Sequence, residues 1–205
     1  MSGNMALILG TNVALALVLG SFIERERRHL RRETQLFAEA RSDALTGLAN
    51  RRSFERIADR ILAEAAPDRP ISLLAMDLDH FKDINDRYGH AFGDAVLRAT
   101  AKLIKHHVGA QGCAARLGGE EFVAIVELDE TAAQLLAMTF RKSLENSGTL
   151  FGVTPLQVTI SIGVATLQAP SLFQDGFASA DRALYAAKRL GRNRVEHAPT
   201  RQRAA

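Results

Sequence analysis

The stretch Arg116-Leu117-Gly118-Gly119-Glu120-Glu121-Phe122 lies between two short apolar segments, residues 112–115 and 123–126. Glycine adopts positive φ angles at little steric cost, so Gly-Gly between two apolar runs predicts a β-hairpin. The two adjacent carboxylates at its tip repel each other and need a counter-charge, which a hard cation could supply. Taken alone, this fragment is equally well explained as a solvated acidic turn. Other segments of the chain must decide between that interpretation and a cation site.

A near-continuous apolar run over residues 71–78 predicts a buried central strand. The run ends in Asp77-Leu78-Asp79, and carboxylates at a strand end can reach solvent or a ligand. If this strand pairs with the hairpin, Asp77 and Glu120 converge on one ion. Such convergence is what a two-metal phosphoryl-transfer site requires.

The remaining periodicity predicts helices and strands around this sheet. Helices are expected over 50–66, 93–107, 131–146 and 173–190, with a short helix within 80–90. Further strands are expected over 156–165 and at Val195. This order predicts an α+β fold: a ferredoxin-like or polymerase-palm-like sandwich with a mostly antiparallel central sheet flanked by helices.

Composition limits the classes of function that are open to the chain. The 205 residues are 47% apolar and 24% charged, as in globular proteins, and the net charge is only +3. No global basic field is present, so a nucleic-acid partner is not expected. The single cysteine, Cys113, excludes an internal disulfide and is interpreted as a small core residue of a strand.

The N-terminal region predicts a membrane anchor. Residues 5–23 carry no charge over about the length that spans a bilayer, roughly 20 residues. Five arginines follow, which predicts a cytoplasmic C-terminal part: Arg25, Arg27, Arg28, Arg31 and Arg32. A buried core helix is the alternative, because Asn12 interrupts the run. The expected division is an anchor over 1–23, a charged linker helix with a weak coiled-coil pattern over 24–42, a folded domain over 43–198 and a disordered tail over 199–205.

Four motifs in order resemble the GGDEF family of diguanylate cyclases over roughly residues 43–196. They are DALTGLANRR at 43–52, DLDHFKDINDRYGH at 77–90, RLGGEEF at 116–122 and ALYAAKRLGRNRV at 183–195. The resemblance implies a catalytic domain in the cytoplasm, anchored by a single pass in a bacterial inner membrane, that condenses two GTP into cyclic di-GMP and pyrophosphate. Glutamate at the third position of the third motif is one of the family's active forms.

The resemblance also implies metal and catalytic residues. Asp77, Glu120 and the backbone carbonyl of Leu78 match the ligands of Mg²⁺ or Mn²⁺, two ions per active site, and hard cations prefer such oxygens. Glu120 also matches the residue proposed to accept the proton of the attacking 3′-hydroxyl, a role for which a metal-bound carboxylate is a weak base. Lys82 matches a cation that stabilises the developing phosphoryl charge, although a solvated surface lysine is the simpler interpretation of that residue alone.

Other matches imply how the nucleotide is bound. Asn85 and Asp94 match a guanine-reading pair, and a carboxylate that accepts the N1 and N2 protons of guanine favours GTP over ATP. His90 matches another substrate contact. Lys188 and Arg192 match triphosphate-binding cations and are predicted to lie one helical turn apart, facing one anion.

The sequence departs from the family at an Arg-x-x-Asp product-inhibition site, where Gly109 and Gly112 stand at the matching positions. Neither glycine can make the guanidinium contact or supply its carboxylate partner, so no feedback inhibition through that site is expected. For Glu121 two interpretations stay open, a metal contact and an ion pair with Arg116. Four further polar residues are interpreted as structural or solvated: Asp79, Asp83, His106 and His107.

The expected partners are GTP and a second copy of the chain, because each protomer binds one GTP and the new bonds join the two. Dimerisation is assigned to residues 5–42, and the receptors of the product are not identified by the sequence. Three alternatives remain open. They are a catalytically inactive GGDEF-like module that binds GTP or a protein, a palm or class III cyclase relative that uses another nucleotide, and a membrane-anchored scaffold.

Overall fold

The computed structural model describes residues 24–25, 41–66, 69–147, 157–168 and 171–199. The predicted anchor at 5–23, most of the linker helix and most of the predicted tail lie outside these residues. Within the described ranges no helix combines the length and the apolar character needed to cross a bilayer. The chain divides into two compact units, Met1–Ala40 and Arg41–Ala205, and the following description concerns the second. The division into anchor, linker, domain and tail stays a prediction.

Six strands form one sheet in the order β1-β3-β4-β2-β5-β6. Their bounds are β1 Ala49–Asn50, β2 Ile71–Leu78, β3 Gly112–Gly118, β4 Glu121–Val126, β5 Ile160–Leu167 and β6 Val195–His197. The inner pairs β3–β4, β4–β2 and β2–β5 are antiparallel, whereas the edge pairs β1–β3 and β5–β6 are parallel. The sheet is therefore mixed, and the prediction of a mostly antiparallel sheet was wrong. The parallel edge at β6 arises because a helix crosses over between β5 and β6 and returns the chain in the same direction.

Five α-helices pack on this sheet within the described ranges. They are α1 Arg51–Glu64, α2 Phe81–Tyr88, α3 His90–Val108, α4 Glu130–Glu145 and α5 Phe173–Arg189. Side-chain caps fix two of the starts, because Asn50 accepts from the Ser53 N–H at 3.0 Å and Asp129 from the Ala132 N–H at 2.8 Å. Helix α3 begins three residues earlier than predicted, directly after Gly89, whose φ of 83° separates it from α2.

The sheet separates two apolar cores, and the alternation of side chains along β2 assigns one residue to each face in turn. Leu74, Met76 and Leu78 pack with residues of α2, α3 and α4, while Leu73 and Ala75 pack with residues of α1 and α5. Asp77 continues the second series. Its carboxylate is therefore placed on the α5 side of the sheet, at the end of the central strand.

The predicted hairpin is confirmed. Strands β3 and β4 pair in antiparallel register from Gly112 opposite Val126 to Gly118 opposite Glu121, with an irregularity between Arg116 and Gly118. Gly119 has a φ of 52°, a left-handed value that glycine adopts without strain. The turn therefore needs its glycine, and it leaves Glu120 and Glu121 beside the end of β2.

Candidate active site

Asp77 is a buried carboxylate with one direct counter-charge. Its residue surface is 8% exposed, and the Nζ atom of Lys188 in α5 lies 2.9 Å from its Oδ2 atom. Burial is the largest influence on this carboxyl group and raises its pKa; the hydrogen bond and charge of Lys188 oppose the rise, and Glu120 and Glu121 add to it. Lys188 therefore compensates the buried charge only in part.

The two hairpin glutamates lie at the same end of the sheet as Asp77. Glu121 is the register partner of Asp77 across β2 and β4, and the Glu120 carbonyl accepts from the Leu78 N–H at 3.3 Å. The predicted convergence of the β2 end and the hairpin tip is thus present in the backbone. The charges of both glutamates act on the pKa of Asp77, so three carboxylates share one region of negative potential.

The donor set fits a hard divalent cation that keeps part of its coordination for other ligands. No group of three or more histidine, cysteine or acidic side chains suited to a metal occurs in the part of the chain that the structure describes. Mg²⁺ is commonly held by one or two carboxylates together with water and substrate phosphates, and not by a complete protein cage. The buried, incompletely compensated charge of Asp77 beside Glu120 matches that type of site.

Arg116 connects the hairpin tip to the start of the domain. Its Nε and Nη2 atoms donate to the Gly119 carbonyl at 2.9 and 2.7 Å, and its Nη1 atom lies 3.2 Å from Oδ1 of Asp43. The ion pair that was considered between Arg116 and Glu121 is therefore replaced by one with Asp43. Since the guanidinium holds Gly119 directly, it fixes the turn that presents Glu120 and Glu121.

Asn85 and Asp94 stand on two different helices that approach closely. A Cβ atom at Gly93 would lie 1.9 Å from Oδ1 of Asn85 and 3.2 Å from the ring of Phe81. A Cβ atom at position 93 would push the Asn85 amide aside, so glycine there keeps that amide close to α3, and Asp94 follows immediately. Sequence reasoning missed the part played by Gly93, which sets the spacing of the predicted guanine-reading pair.

Two predicted polar contacts remain at the surface. Lys82 lies in the first turn of α2 and His90 begins α3, and both are exposed. Neither side chain forms an ion pair with another described residue. Their predicted roles toward the phosphoryl group and the substrate stay predictions.

The predicted geometry of the two triphosphate-binding cations was wrong in one respect. Lys188 belongs to α5, but that helix ends at Arg189, and Gly191 has a φ of 113°. Arg192 lies beyond the helix with a left-handed φ of 61° and is exposed. The two residues are therefore not one helical turn apart, because the glycine that ends the helix stands between them.

Asp79 has a more specific environment than a solvated or merely structural residue would suggest. It is 4% exposed and accepts from the hydroxyls of Thr159 and Ser161 at 2.9 and 2.7 Å and from the Asn193 N–H at 3.0 Å. Sequence reasoning did not connect these residues. The only available signal was a second carboxylate beside Asp77.

Three residues that were set aside as non-catalytic lie outside this region. His107 contacts the Ser143 hydroxyl at 3.2 Å, and its pKa is lowered by burial and by His106. Cys113 is half-buried in β3, where burial raises the pKa of its thiol. Neither arrangement indicates a metal ligand or a nucleophile.

A mixed sheet with helices on both faces and carboxylates at the end of its central strand is typical of palm-like α+β domains. The profile of the family described as "Diguanylate cyclase, GGDEF domain" matches residues 40–194. The chain therefore belongs to the GGDEF diguanylate cyclase family. The resemblance inferred from the four motifs, and the enzyme class at the level of this family, are confirmed.

Individual relatives agree with this assignment. The chain is 43% identical over 131 residues to diguanylate cyclase A of Treponema denticola, covering 61% of this chain and 34% of that protein. DgcB of Caulobacter crescentus, solved as coiled coil and GGDEF domain with c-di-GMP, superposes with a TM-score of 0.77 at 32% identity. That match covers 93% of this chain and 99% of the other. The active GGEEF domain of a Vibrio cholerae diguanylate cyclase gives 0.68 at 32% identity, covering 75% and 99%.

Proposed function

We propose that the chain is a diguanylate cyclase that joins two GTP molecules into cyclic di-GMP and releases pyrophosphate. The observation that carries the proposal is the buried carboxylate of Asp77 at the end of β2, beside the Glu120–Glu121 hairpin tip and 2.9 Å from the ammonium of Lys188. In a bound metal–triphosphate group, the carboxylates can bind the metal ion and the neighbouring cation can bind the phosphate. The GGEEF tip has a counterpart in a domain described as active in Vibrio cholerae.

Asp77, Glu120 and the Leu78 carbonyl would hold Mg²⁺ or Mn²⁺, with two ions per site as the finer proposal. When bound, the metal would neutralise phosphate charge and favour ionisation of the 3′-hydroxyl. Lys188 would leave Asp77 for an anionic phosphate, since a third of its side chain is exposed and its ammonium already faces this region. Glu120 is held at the turn and could receive the proton of the 3′-hydroxyl.

The choice of guanine rests on α2 and α3. Asn85 lies against Gly93, and Asp94 follows in the same helix turn. An amide can address the acceptor and donor edges of guanine, whereas a carboxylate only accepts, which suits the N1 and N2 protons. Adenine has an N1 acceptor and a C2–H where guanine has its N1 and N2 protons, so the carboxylate of Asp94 would face no donor at those positions, and GTP is the proposed substrate. Lys82, His90 and Arg192 are proposed to contact its phosphates and sugar.

Catalysis is proposed to require a dimer, because one GTP per protomer leaves the second reactant on another chain. The DgcB structure whose match covers most of this chain comprises a coiled coil and a GGDEF domain, which supports pairing through residues 5–42. Attachment to the bacterial inner membrane through residues 5–23, with the catalytic domain in the cytoplasm, remains part of the proposal. It rests on the uncharged run and the arginines after it.

The proposed enzyme lacks feedback inhibition through the Arg-x-x-Asp position. Gly109 and Gly112 carry no side chains there, and a Cβ atom at Gly112 would lie 1.9 Å from the Ile125 carbonyl oxygen. Excess cyclic di-GMP is expected to leave the rate unchanged. Noncompetitive inhibition by the product would contradict this.

The decisive experiment compares the full chain with Glu120→Gln and with Glu64→Gln, an equivalent change at an exposed position of α1. Each protein receives GTP or ATP with Mg²⁺, and the products are separated by chromatography. We expect cyclic di-GMP from GTP with the wild type and Glu64→Gln only. Unchanged output from Glu120→Gln would refute the assignment of this site, and GTP binding without product would identify a non-catalytic module.

A further inference from the structure

The carboxylate of Asp79 joins three separate parts of the fold. It accepts from two hydroxyls at the start of β5, those of Thr159 and Ser161, and from the backbone N–H of Asn193 after α5. Its own N–H donates to the Thr159 carbonyl at 2.9 Å. A carboxylate that accepts three donors at 4% exposure has its hydrogen-bonding capacity largely satisfied within the protein. Asp79 is therefore fully committed to holding these segments together.

The segment that Asp79 holds is strained. Gly191, Arg192 and Asn193 have φ angles of 113°, 61° and 46° in succession. A non-glycine residue in the left-handed region costs about 1–2 kcal/mol, less for asparagine, so the surroundings must enforce this conformation at Arg192. The Arg192 N–H donates to the Ala187 carbonyl at 3.0 Å, which closes the turn onto the end of α5.

The side chain of Asn193 is fixed from the opposite side by α4. Its Oδ1 atom accepts from Nη1 of Arg141 at 2.8 Å, and its Nδ2 atom donates to Oε1 of Glu145 at 2.8 Å. Arg141 and Glu145 also pair with each other at 3.0 Å. Asn193 is thus bound through its backbone by Asp79, directly after β2, and through its side chain by α4. Its neighbour Arg192 is exposed and forms no ion pair with any residue in the described ranges.

We propose that Asp79 and Asn193 are positioning residues that hold Arg192 at a fixed place relative to the carboxylate end of β2, so that its guanidinium meets the triphosphate of the bound nucleotide. The inference rests on the proposed function. Asp79 follows Asp77 and Leu78 directly, so the strand end that would hold a metal and the turn that carries Arg192 are joined through one side chain. A cation held in a strained conformation without a protein partner is suited to an anionic ligand.

The variants separate positioning from general stability. Asp79→Asn replaces an acceptor with an amide that turns one N–H against an existing donor, and Asp181→Asn is the same change at an exposed site on α5. Asn193→Ala and Asn193→Gly both remove the contacts to α4. Only glycine keeps the left-handed conformation without strain, so we expect Asn193→Gly to retain more GTP affinity than Asn193→Ala.

The test is equilibrium binding of GTP and of guanosine to the full-length variants, combined with amide hydrogen exchange. Asp79→Asn should weaken GTP binding by about tenfold, the size expected for losing hydrogen bonds to a charged group, and leave guanosine binding unchanged. In an Arg192→Ala background the same change should cost less than about twofold, because residues acting through one contact are not additive. Exchange at Asn193 should accelerate in Asp79→Asn but not in Asp181→Asn.

Additive losses of GTP affinity, equal losses for guanosine, or unchanged exchange at Asn193 would each overturn the positioning role. A wild-type chain that does not bind GTP would instead overturn the proposed function. In that case the hydrogen-exchange rate at Asn193 still tests whether Asp79 holds the Asn193 backbone. GTP binding that depends on Arg192, and on Asp79 only while Arg192 is present, without any cyclic di-GMP formation would support the positioning role and refute catalysis.

Discussion

The Nζ atom of Lys188 lies 2.9 Å from Oδ2 of Asp77, which joins the last turn of α5 to the end of the central strand. The pair is asymmetric, because the side chain of Asp77 is 11% exposed and that of Lys188 is 34% exposed. The carboxylate bears most of the desolvation cost, and the ammonium can move toward solvent or an anion. The contact therefore joins a fixed, buried carboxylate to a cation that keeps access to solvent.

Asp77→Asn should abolish catalysis without lowering stability. Removing the carboxylate that is proposed to hold the metal is expected to reduce turnover by roughly 100-fold or more, comparable to the loss of a principal electrostatic group. An amide of the same shape avoids burying a charge, and Lys188, with a third of its side chain exposed, can turn to solvent, so the free energy of unfolding should stay unchanged or rise by about 1 kcal/mol. Urea denaturation in metal-free buffer and product formation with Mg²⁺ measure the two effects. Lower stability together with retained activity would contradict the assignment.

The difference in stability between wild type and Asp77→Asn should depend on pH in a defined direction. Burial, followed by the opposing effect of Lys188, leaves the pKa of Asp77 raised in the folded state. Because the folded state favours the protonated form of Asp77, ionisation of this carboxyl group costs stability. That cost is absent below the unfolded pKa, about 3.9, and it develops as the pH rises through the folded pKa. The stability advantage of Asp77→Asn should thus be absent at acidic pH and grow as the pH rises toward neutrality.

Lys188→Met should destabilise the metal-free protein and weaken GTP binding. Methionine retains the length of the side chain but leaves Asp77 without its direct counter-charge, and a partly exposed pair of this kind is worth about 1 kcal/mol. The Michaelis constant for GTP should rise more than turnover falls, if Lys188 also binds the triphosphate. Lys102→Met on the exposed face of α3 is the matched control. Equal effects from both substitutions would show that Lys188 has no special role.

The hairpin, the central strand and the five described helices of the domain could be predicted from the sequence because their signals are local. Gly118-Gly119 encodes a turn, the apolar run over β2 encodes a buried strand, and helical periodicity extends over several turns. The two-residue strand β1 has no periodicity to detect. Its parallel pairing with β3 therefore had no sequence signal, and the mixed character of the sheet was missed.

The sequence predicted which residues belong to the candidate site, because single residues match the motifs, but it did not predict the contacts between them. Asp77 and Glu120 were expected to converge, and the register of β2 with β4 brings their segments together. The bonds of Asp79 connect positions 80 or more residues apart along the chain, which no local pattern encodes. The displacement of Arg192 from the helix had a signal in Gly191, whose effect on the helical spacing was not applied.

Asp43→Asn should reveal a pH-dependent attachment of the hairpin tip. Burial alone would raise the pKa of Asp43, but hydrogen bonds from the Thr46 hydroxyl and N–H and the charge of Arg116 outweigh it and lower the pKa. A lowered carboxyl pKa contributes stability that is present above the unfolded pKa and is lost as the pH falls through the folded value. The wild type should therefore exceed the variant by about 1–2 kcal/mol near pH 7.

That difference should disappear under acidic conditions, below the folded pKa of Asp43. Chemical denaturation at a series of pH values measures it, with Asp59→Asn at an exposed position of α1 as the control. The control should show no comparable change. A constant difference between wild type and Asp43→Asn at all pH values would indicate that shape, and not the charge, of this residue supports Arg116.

Gly112→Ala should destabilise the domain more than Gly109→Ala, for a different physical reason in each case. A Cβ atom at Gly112 meets the Ile125 carbonyl oxygen at 1.9 Å, and its next contacts at 2.9 and 3.0 Å are also backbone. The strands must move apart, at a cost of about 2–3 kcal/mol. Gly109 has open space around it, but its φ of 53° and ψ of −138° form a conformation that residues with a Cβ atom rarely adopt, so alanine there costs about 1–2 kcal/mol.

The steric conflict at position 112 also concerns the missing inhibitory site, because the Cβ atom of an aspartate there would meet the Ile125 carbonyl oxygen as that of alanine does. The double substitution Gly109→Arg with Gly112→Asp should therefore lower the urea midpoint without creating inhibition by cyclic di-GMP. Denaturation curves and initial rates with added product test both statements. If the double variant is as stable as the wild type and is inhibited by its product, β3 can shift away from Ile125, and the steric account of Gly112 is wrong.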